Sequence, residues 1–241
     1  MMRYRNWTRQ DFKQWILKEG KGWIAIHKPA GLPVETKKLG MADLEQLVRR
    51  EYQGVTPSAI NRLDQVVEGI VLFALERGCA AELSKQMREG RIEKKYIAIV
   101  NGIPDRDEVK LEHMLFHDKR TNMTRIAKTH SEANQAKPAR LTYRVMNRHP
   151  EEEKSLLEVE LDTGRHHQIR AQLSHAGFPI VGDGKYGNRK NDLENNSKLR
   201  FPMLCATSLS FSDPDTAKRI NLQTEPAWLS TWKHSDIRVQ K

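Results

Sequence analysis

The triplet Arg62-Leu63-Asp64 stands just before an apolar run and offers a carboxylate in a place suited to chemistry. Ile70–Leu75 has the length and the β-branched and aromatic content of a buried strand, and Gly69 suits a bend or a close backbone approach. Asp64 is therefore predicted on a loop that a rigid scaffold holds in place, where it could act as a nucleophile or a base. Taken alone, the stretch favours a turn residue or a salt-bridge partner of Arg62.

The composition indicates a protein with a core beneath a heavily charged, basic surface. The chain has 241 residues, of which 38% are hydrophobic and 30% charged, which fits one large domain or two small ones. Its 41 Lys and Arg against 31 Asp and Glu give a net charge of +10, and its pI is near 9.6. Such a balance is typical of a nucleic-acid binder, and it is also compatible with an anionic membrane surface or an acidic protein partner.

Several classes of protein are disfavoured. The two cysteines, Cys79 and Cys205, are too few and too far apart for a disulfide framework or a zinc cluster. The basic residues near the N-terminus are followed by no apolar run of a secretory signal, and no apolar stretch approaches 18 residues. We expect a cytoplasmic protein, or one in another reducing compartment, without a membrane span.

The hydrophobic pattern predicts helices and strands in mixed order. Helices are predicted over residues 8–19, 43–52, 78–89 and 166–176. Strands are predicted over residues 23–27, 70–75, 96–100, 139–147, 155–161 and 204–211. Short strands and a flexible basic loop are expected over 105–140. The absence of strict β-α alternation favours an α+β fold with a largely antiparallel sheet.

Five motifs occur in a characteristic order. They are Lys28-Pro29-Ala30-Gly31, Arg62-Leu63-Asp64, Lys94-Lys95-Tyr96-Ile97-Ala98-Ile99-Val100-Asn101-Gly102, Gly164-Arg165-His166-His167-Gln168-Ile169-Arg170 and Pro179-Ile180-Val181-Gly182-Asp183-Gly184-Lys185-Tyr186-Gly187. Together they resemble the RluA-type pseudouridine synthases from about Trp23 to Phe211. The resemblance implies the pseudouridine synthase catalytic fold, α+β with a mixed, largely antiparallel sheet flanked by helices. It predicts a catalytic domain over 23–241 after a helical extension over 1–22, with no separate N-terminal RNA-binding domain.

The resemblance also implies an activity, the isomerisation of uridine to pseudouridine in structured ribosomal or transfer RNA. Asp64 matches the catalytic aspartate, Tyr96 the aromatic residue that packs on the target base, and Arg165 the arginine that pairs with the carboxylate. Arg62 matches an arginine that helps to displace the target nucleotide. The reaction needs no redox change and no external group, so no cofactor and no metal are expected.

The expected partner is RNA, with a stem-loop slightly favoured. The candidate RNA contacts are Lys28, Arg62, Arg91, Lys94, Lys95, His167, Arg170 and Lys185, with Lys85, Arg88, the basic stretch 119–140, Arg189 and Lys190 as further cations. Phosphate neutralisation by such residues should make binding salt-dependent. We expect a monomer without an obligate protein partner.

Other interpretations stay open at this point. The chain could be an RNA-binding or RNA-chaperone protein with little catalysis, or an Asp-dependent nucleotide hydrolase. A metal at His166, His167 and His175 is conceivable, but adjacent histidines on a helix point in different directions. The family usually has His at Asn61 and often at Cys205, Thr-Ser at Val67-Glu68, and Thr at His166, so the particular RNA and the particular uridine are not predicted.

Overall fold

The computed structural model describes residues 7–38, 40–187, 200–230 and 232. These residues fall into two compact units, one from Met1–Glu93 with Cys205–Lys241 and one from Lys94–Leu204. The prediction of a single catalytic domain over 23–241 stays a prediction.

The described residues of the first unit combine strands in mixed directions with helices. Its elements are α1 (Arg9–Trp15), β1 (Ile16–Gly20), β2 (Trp23–Lys28), α2 (Leu44–Glu51), β3 (Ser58–Ala59), β4 (Glu68–Ala74), α3 (Arg77–Arg88), β10 (Leu204–Ser212) and β11 (Arg219–Gln223). The strand order is β1-β2-β4-β10-β11, with β3 paired to β4. β4 and β10 run parallel, whereas β2 is antiparallel to both of its neighbours.

The prediction of a helix over residues 8–19 is correct in its first half and wrong in its second. Thr8 caps α1 as expected, because its hydroxyl accepts from the Asp11 amide and the Asp11 carboxylate accepts from the Thr8 amide. The helix ends at Trp15, and the next five residues form β1 on the edge of β2, with Gly20 opposite Trp23. Pairing with a buried strand therefore overrides the helical pattern.

The predicted helices over 43–52 and 78–89 are confirmed as α2 and α3, within one or two residues at each end. Asp43 caps α2 by accepting from the Gln46 amide at 2.8 Å. α3 supplies Cys79 and Leu83 to a core that also contains Trp23 and Phe211. The core therefore lies between the sheet and the apolar face of α3.

The second unit is built on an antiparallel sheet with the strand order β5-β9-β8-β6-β7. Its elements are β5 (Glu93–Asn101), β6 (Glu108–Asp118), β7 (Met123–Ile126), α4 (His130–Ala133), β8 (Lys137–His149), a 3-10 turn (Pro150–Glu152), β9 (Lys154–Leu161) and α5 (Gln168–His175). Ala98 on β5, Leu141 on β8 and Leu157 on β9 are fully buried.

The expectation of a flexible basic loop over 105–140 is wrong. Residues Glu108–Asp118 form an eleven-residue strand that pairs with both β7 and β8. Exposure alternates along most of this strand, with Val109 and Leu111 more covered than Lys110 and Glu112. The period of two was present in the sequence, but polar residues on the inward face, such as His113, obscured it.

The strands and helices described confirm the predicted α+β class and the largely antiparallel pairing. Within the described part of the chain, no helix combines the length and the apolar character needed to cross a bilayer.

Candidate functional site

Asp64 lies between β3 and β4, on a loop of residues 61–67 that we call the Asp64 loop. The carbonyl of Asp64 accepts a hydrogen bond from the Val67 amide at 3.0 Å, which closes a turn. Asp64 is partly exposed. The predicted position, on a loop that feeds a core strand, is confirmed.

Asn61 ties the start of this loop to β4. Its buried side chain donates from Nδ2 to the Ile70 carbonyl at 2.9 Å and accepts at Oδ1 from the Leu72 amide at 2.8 Å. The amide side chain thus satisfies main-chain groups of β4 as another strand would. The Asn61 departure from the family pattern therefore has a structural role in this chain.

The loop of the Lys28-Pro29-Ala30-Gly31 motif braces the Asp64 loop from the other side. The Gly31 amide donates to the Gln65 carbonyl at 2.8 Å, and Gln65 Nε2 donates back to the Gly31 carbonyl at 3.0 Å. This reciprocal pair fixes the residue that follows Asp64. Sequence reasoning had given no role to Gln65.

Lys28 is fully buried and contacts both its own loop and the Asp64 loop. Its Nζ donates to the carbonyls of Leu32 at 2.7 Å, Pro29 at 3.0 Å and Gln65 at 3.3 Å. One amino group therefore connects the Lys28 motif to the main chain beside Asp64.

Burial lowers the pKa of Lys28 to about 7, while the nearby charges of Asp64 and Glu68 act to raise it. Without exposed surface, this side chain does not present its charge to a phosphate. The expected RNA contact of Lys28 is therefore corrected to an internal role.

Glu68 opens β4 opposite Cys205 of the parallel strand β10. The Glu68 carboxylate lies 3.7 Å from His27 Nε2, and the other ring nitrogen of His27 is 2.7 Å from the Thr224 hydroxyl. Burial raises the pKa of the Cys205 thiol, which keeps this cysteine unreactive at neutral pH.

Arg165 lies on the loop that precedes α5, residues 162–167, which we call the Arg165 loop. The buried Gln168 organises this loop, because its Oε1 accepts from the Arg165 amide at 3.0 Å and from the Thr163 hydroxyl at 2.8 Å. The Arg165 guanidinium itself donates from Nε to the Pro138 carbonyl at 3.0 Å. The side chain is partly exposed, so it is accessible.

Asp183 anchors the Gly-rich stretch to α5. Its buried carboxylate receives two hydrogen bonds from Arg170, at 2.7 and 2.8 Å, and further ones from the amides of Lys185 at 2.9 Å and Tyr186 at 3.1 Å. A bidentate, fully enclosed pair of this kind organises structure. The expected RNA contact of Arg170 is corrected accordingly, because only 4% of its side chain is exposed.

His166 and His167 differ from the expectation that adjacent histidines point apart. α5 begins at Gln168, and His167 precedes it with φ of +50°, so neither ring is governed by helical spacing. The two rings stack at 3.7 Å with an interplanar angle of 25°. His167 is largely buried, which lowers its pKa to about 2 and keeps the imidazole neutral.

Tyr96 lies on β5 with 6% of its surface exposed, opposite Val159 of β9. Its neighbour Lys95 pairs with Glu158 at 3.1 Å and Glu160 at 2.8 Å, and these carboxylates raise the pKa of Lys95. The other flanking lysine, Lys94, is partly enclosed, and burial lowers its pKa.

The remaining predicted RNA contacts are on the surface. Arg62 is exposed and pairs with Glu35. Arg91 pairs with Glu89 and Glu82, and Lys185 donates to the Asn122 carbonyl. Arg189 and Lys190 lie outside the described residues. Among the residues that the structure does describe, no three His, Cys, Asp or Glu side chains are arranged to hold a metal ion.

Comparison with known proteins covers most of the chain. Residues 22–175 match the sequence profile of the RNA pseudouridylate synthase family. The chain is 30% identical over 214 residues to ribosomal large subunit pseudouridine synthase C of Buchnera aphidicola, with 86% of this chain and 65% of the relative aligned. It is 32% identical over 219 residues to tRNA pseudouridine synthase C of Haemophilus ducreyi, with 83% and 85% aligned. The chain thus spans about two thirds of the length of the first of these relatives.

Solved structures share the fold. Human RNA pseudouridylate synthase domain containing 1 aligns with a TM-score of 0.77 at 20% identity, over 94% of this chain and 88% of that one. Human RNA pseudouridylate synthase domain containing 4 aligns with a TM-score of 0.75 at 23% identity, over 94% of each chain. The predicted fold is thereby confirmed, and the profile match together with the identity to curated relatives shows that the chain belongs to the RNA pseudouridylate synthase family.

Proposed function

We propose that this protein isomerises uridine to pseudouridine in ribosomal or transfer RNA, with Asp64 as the catalytic carboxylate. The observation that carries the proposal is the position of Asp64 within the region matched by the family, on a partly exposed loop that is braced from two sides. The similarity to a ribosomal large subunit pseudouridine synthase and to a tRNA pseudouridine synthase supports RNA as the substrate.

The chemistry needs a carboxylate and no external reagent. The bond between uracil N1 and the ribose breaks, the base turns, and uracil C5 forms the new bond to the ribose while its proton leaves. An ionised aspartate can serve as nucleophile or as base in such a sequence. The contacts at Asp64 and Gln65 support this role, because they hold the backbone of the loop through main-chain groups and the Gln65 side chain.

Tyr96 and Arg165 are proposed with the roles that the resemblance gives them. A target nucleotide must leave its stack, which costs a few kcal/mol, and stacking on an aromatic ring returns about 1–3 kcal/mol. A guanidinium keeps a neighbouring carboxylate ionised and oriented. The exposed Arg62 is proposed to assist displacement of the nucleotide.

RNA affinity is proposed to arise from surface cations and the net charge of +10. The proposed phosphate contacts are Arg62, Arg91, Lys94, Lys95 and Lys185. Of these, Arg62, Arg91 and Lys95 would exchange their paired carboxylates for phosphates. The resulting affinity should fall steeply with salt. The proposal also includes a cytoplasmic location and a monomer without an obligate protein partner. Ribosomal or transfer RNA is the only substrate that the reaction needs.

The test is tritium release from RNA that carries tritium at uracil C5, prepared from a strain that lacks the gene. Release on addition of the protein supports the proposal, and sequencing of the product then identifies the RNA and the uridine. Failure to release tritium from any RNA fraction, with RNA binding retained, would instead favour an RNA-binding or RNA-chaperone protein.

A further inference from the structure

Three histidine rings form a continuous column in the second unit. His167 stacks on His166 at 3.7 Å and 25°, and His166 stacks on His117 of β6 at 4.0 Å and 27°. His167 is largely buried, whereas His166 and His117 are partly exposed. The column therefore runs from the interior of the unit to its surface.

Thr124 of β7 and Tyr186 fix the column. The Thr124 hydroxyl is 2.9 Å from His166 Nδ1, and the Thr124 amide donates to the Tyr186 hydroxyl at 2.7 Å. The Tyr186 hydroxyl also lies within hydrogen-bond distance of His167 Nδ1, at 2.8 Å. Since burial also keeps His167 neutral, the inner end of the column is rigid and uncharged.

The outer end of the column lies beside a basic hairpin turn. His117 is the cross-strand partner of Thr124 at the end of the β6–β7 hairpin. The turn carries Lys119 and Arg120, both exposed, and Lys185 donates to the carbonyl of its residue Asn122 at 3.0 Å.

The acidic groups near this turn have partners. A hydrogen bond with the Thr121 side chain, together with those from the amides of Arg120 and Thr121, lowers the pKa of Asp118. Glu132 is held by Arg125. The two cations of the turn therefore outnumber the one carboxylate, Asp118, that adjoins it.

We propose that His117 is the outer end of a stacking platform for an unpaired base of the RNA, with Lys119 and Arg120 placed to meet the adjacent phosphates. Single-stranded nucleic acid is bound by this combination, an aromatic or imidazole face for the base and cations for the backbone. The proposal rests on RNA as the substrate and not on catalysis. His166, which connects the outer ring to the inner one, stands where the family that the chain resembles usually has Thr.

The test compares two fluorescent probes of equal charge, a short oligouridine and an abasic oligomer of the same length, by fluorescence anisotropy. His117→Ala is expected to weaken oligouridine binding about fivefold or more. Binding of the abasic oligomer should be unchanged. His117→Phe keeps a stacking face and should bind oligouridine like the original protein. His175→Ala, at an exposed histidine of the same unit outside the basic stretch, is the matched control.

His166→Thr should weaken oligouridine binding as His117→Ala does, because it interrupts the column. Equal losses for both probes would assign the effect to charge or folding and overturn the proposal, as would unchanged oligouridine binding by His117→Ala. Tritium release is measured separately in the same preparations. A protein that shows the His117 dependence without tritium release would overturn the proposed catalysis and leave the platform standing.

Discussion

The Asp64 loop and the Arg165 loop are held by different kinds of contact. Around Asp64 the contacts involve main-chain groups: the Gly31 amide, the Gln65 carbonyl and the three carbonyls that receive Lys28. Around Arg165 and the start of α5, main-chain contacts are joined by pairs of side chains: the Thr163 hydroxyl donates to Gln168, and the buried Arg170 pairs with Asp183.

The difference predicts different sensitivities. A loop held by main-chain contacts depends on backbone geometry and on close approach of chains, so a single added methyl group can disturb it. A loop held by side-chain pairs depends on each charge having its partner, so loss of one partner leaves the other enclosed without compensation. The following substitutions separate the two cases.

Asp183→Ala should have the largest effect on stability. It removes the carboxylate that receives both Arg170 nitrogens and two main-chain amides, and leaves an enclosed guanidinium without those contacts. We expect a loss of about 4 kcal/mol in the free energy of unfolding, measured in urea. Glu108→Gln breaks an exposed pair with Arg144 in the same unit and should cost less than about 1 kcal/mol. Equal losses from both would contradict the organising role of Asp183.

Gly69→Ala should lower the free energy of unfolding, because Gly69 lies where β4 pairs with β10. Gly69 has φ of +125°, and a Cβ there would lie 2.4 Å from both the amide nitrogen and the carbonyl oxygen of Ala206. Strain and overlap should together cost about 3 kcal/mol in the free energy of unfolding. Gly78→Ala, in α3 with open space around it, should instead stabilise by about 0.5–1 kcal/mol. A neutral Gly69→Ala would show that the junction is not tightly packed.

Lys28→Met should change the pH dependence of stability. The pKa of Lys28 is lowered by burial to about 7 in the folded protein and is about 10.4 when unfolded, so the unfolded chain binds more protons between these values. The free energy of unfolding of the original protein should therefore rise, relative to Lys28→Met, by about 2 kcal/mol from pH 7 to pH 9.

Lys95→Met is the matched control, because nearby carboxylates raise the pKa of Lys95 and it stays charged across this range. Urea unfolding at pH 7, 8 and 9 measures both differences. A constant difference between the original protein and Lys28→Met would show that Lys28 stays charged throughout and would contradict the lowering of its pKa by burial.

Much of the fold could be predicted from local patterns. β4 followed from an unbroken apolar run, and α2 from a capping Asp43 ahead of a periodic apolar face. β1 could not be predicted in this way, because its residues continue a helical pattern and become a strand only by pairing with β2. β6 was hidden by inward polar residues that the folded unit pairs or stacks, among them His117.

The site was predicted in part. Asp64 could be placed on its loop from the sequence, and Lys28, Tyr96 and Arg165 were singled out by their motifs. The burial of Lys28 could not be predicted, because it depends on the carbonyls of Pro29, Leu32 and Gln65, which lie on two loops far apart in the sequence. The stacking of adjacent histidines likewise required a left-handed backbone at His167, a conformation that only the packed loop reveals.

The most direct test of the central claim is tritium release by Asp64→Asn beside the original protein. The substitution keeps the size of the side chain and the main-chain turn to Val67, and removes the charge of the carboxylate. Asp105→Asn, at an exposed position, serves as the control. We predict that Asp64→Asn loses about a thousandfold or more in rate while it still binds the RNA and unfolds at the same urea concentration as the original protein. Release of tritium by Asp64→Asn at the original rate would contradict the assignment of Asp64 as the catalytic residue.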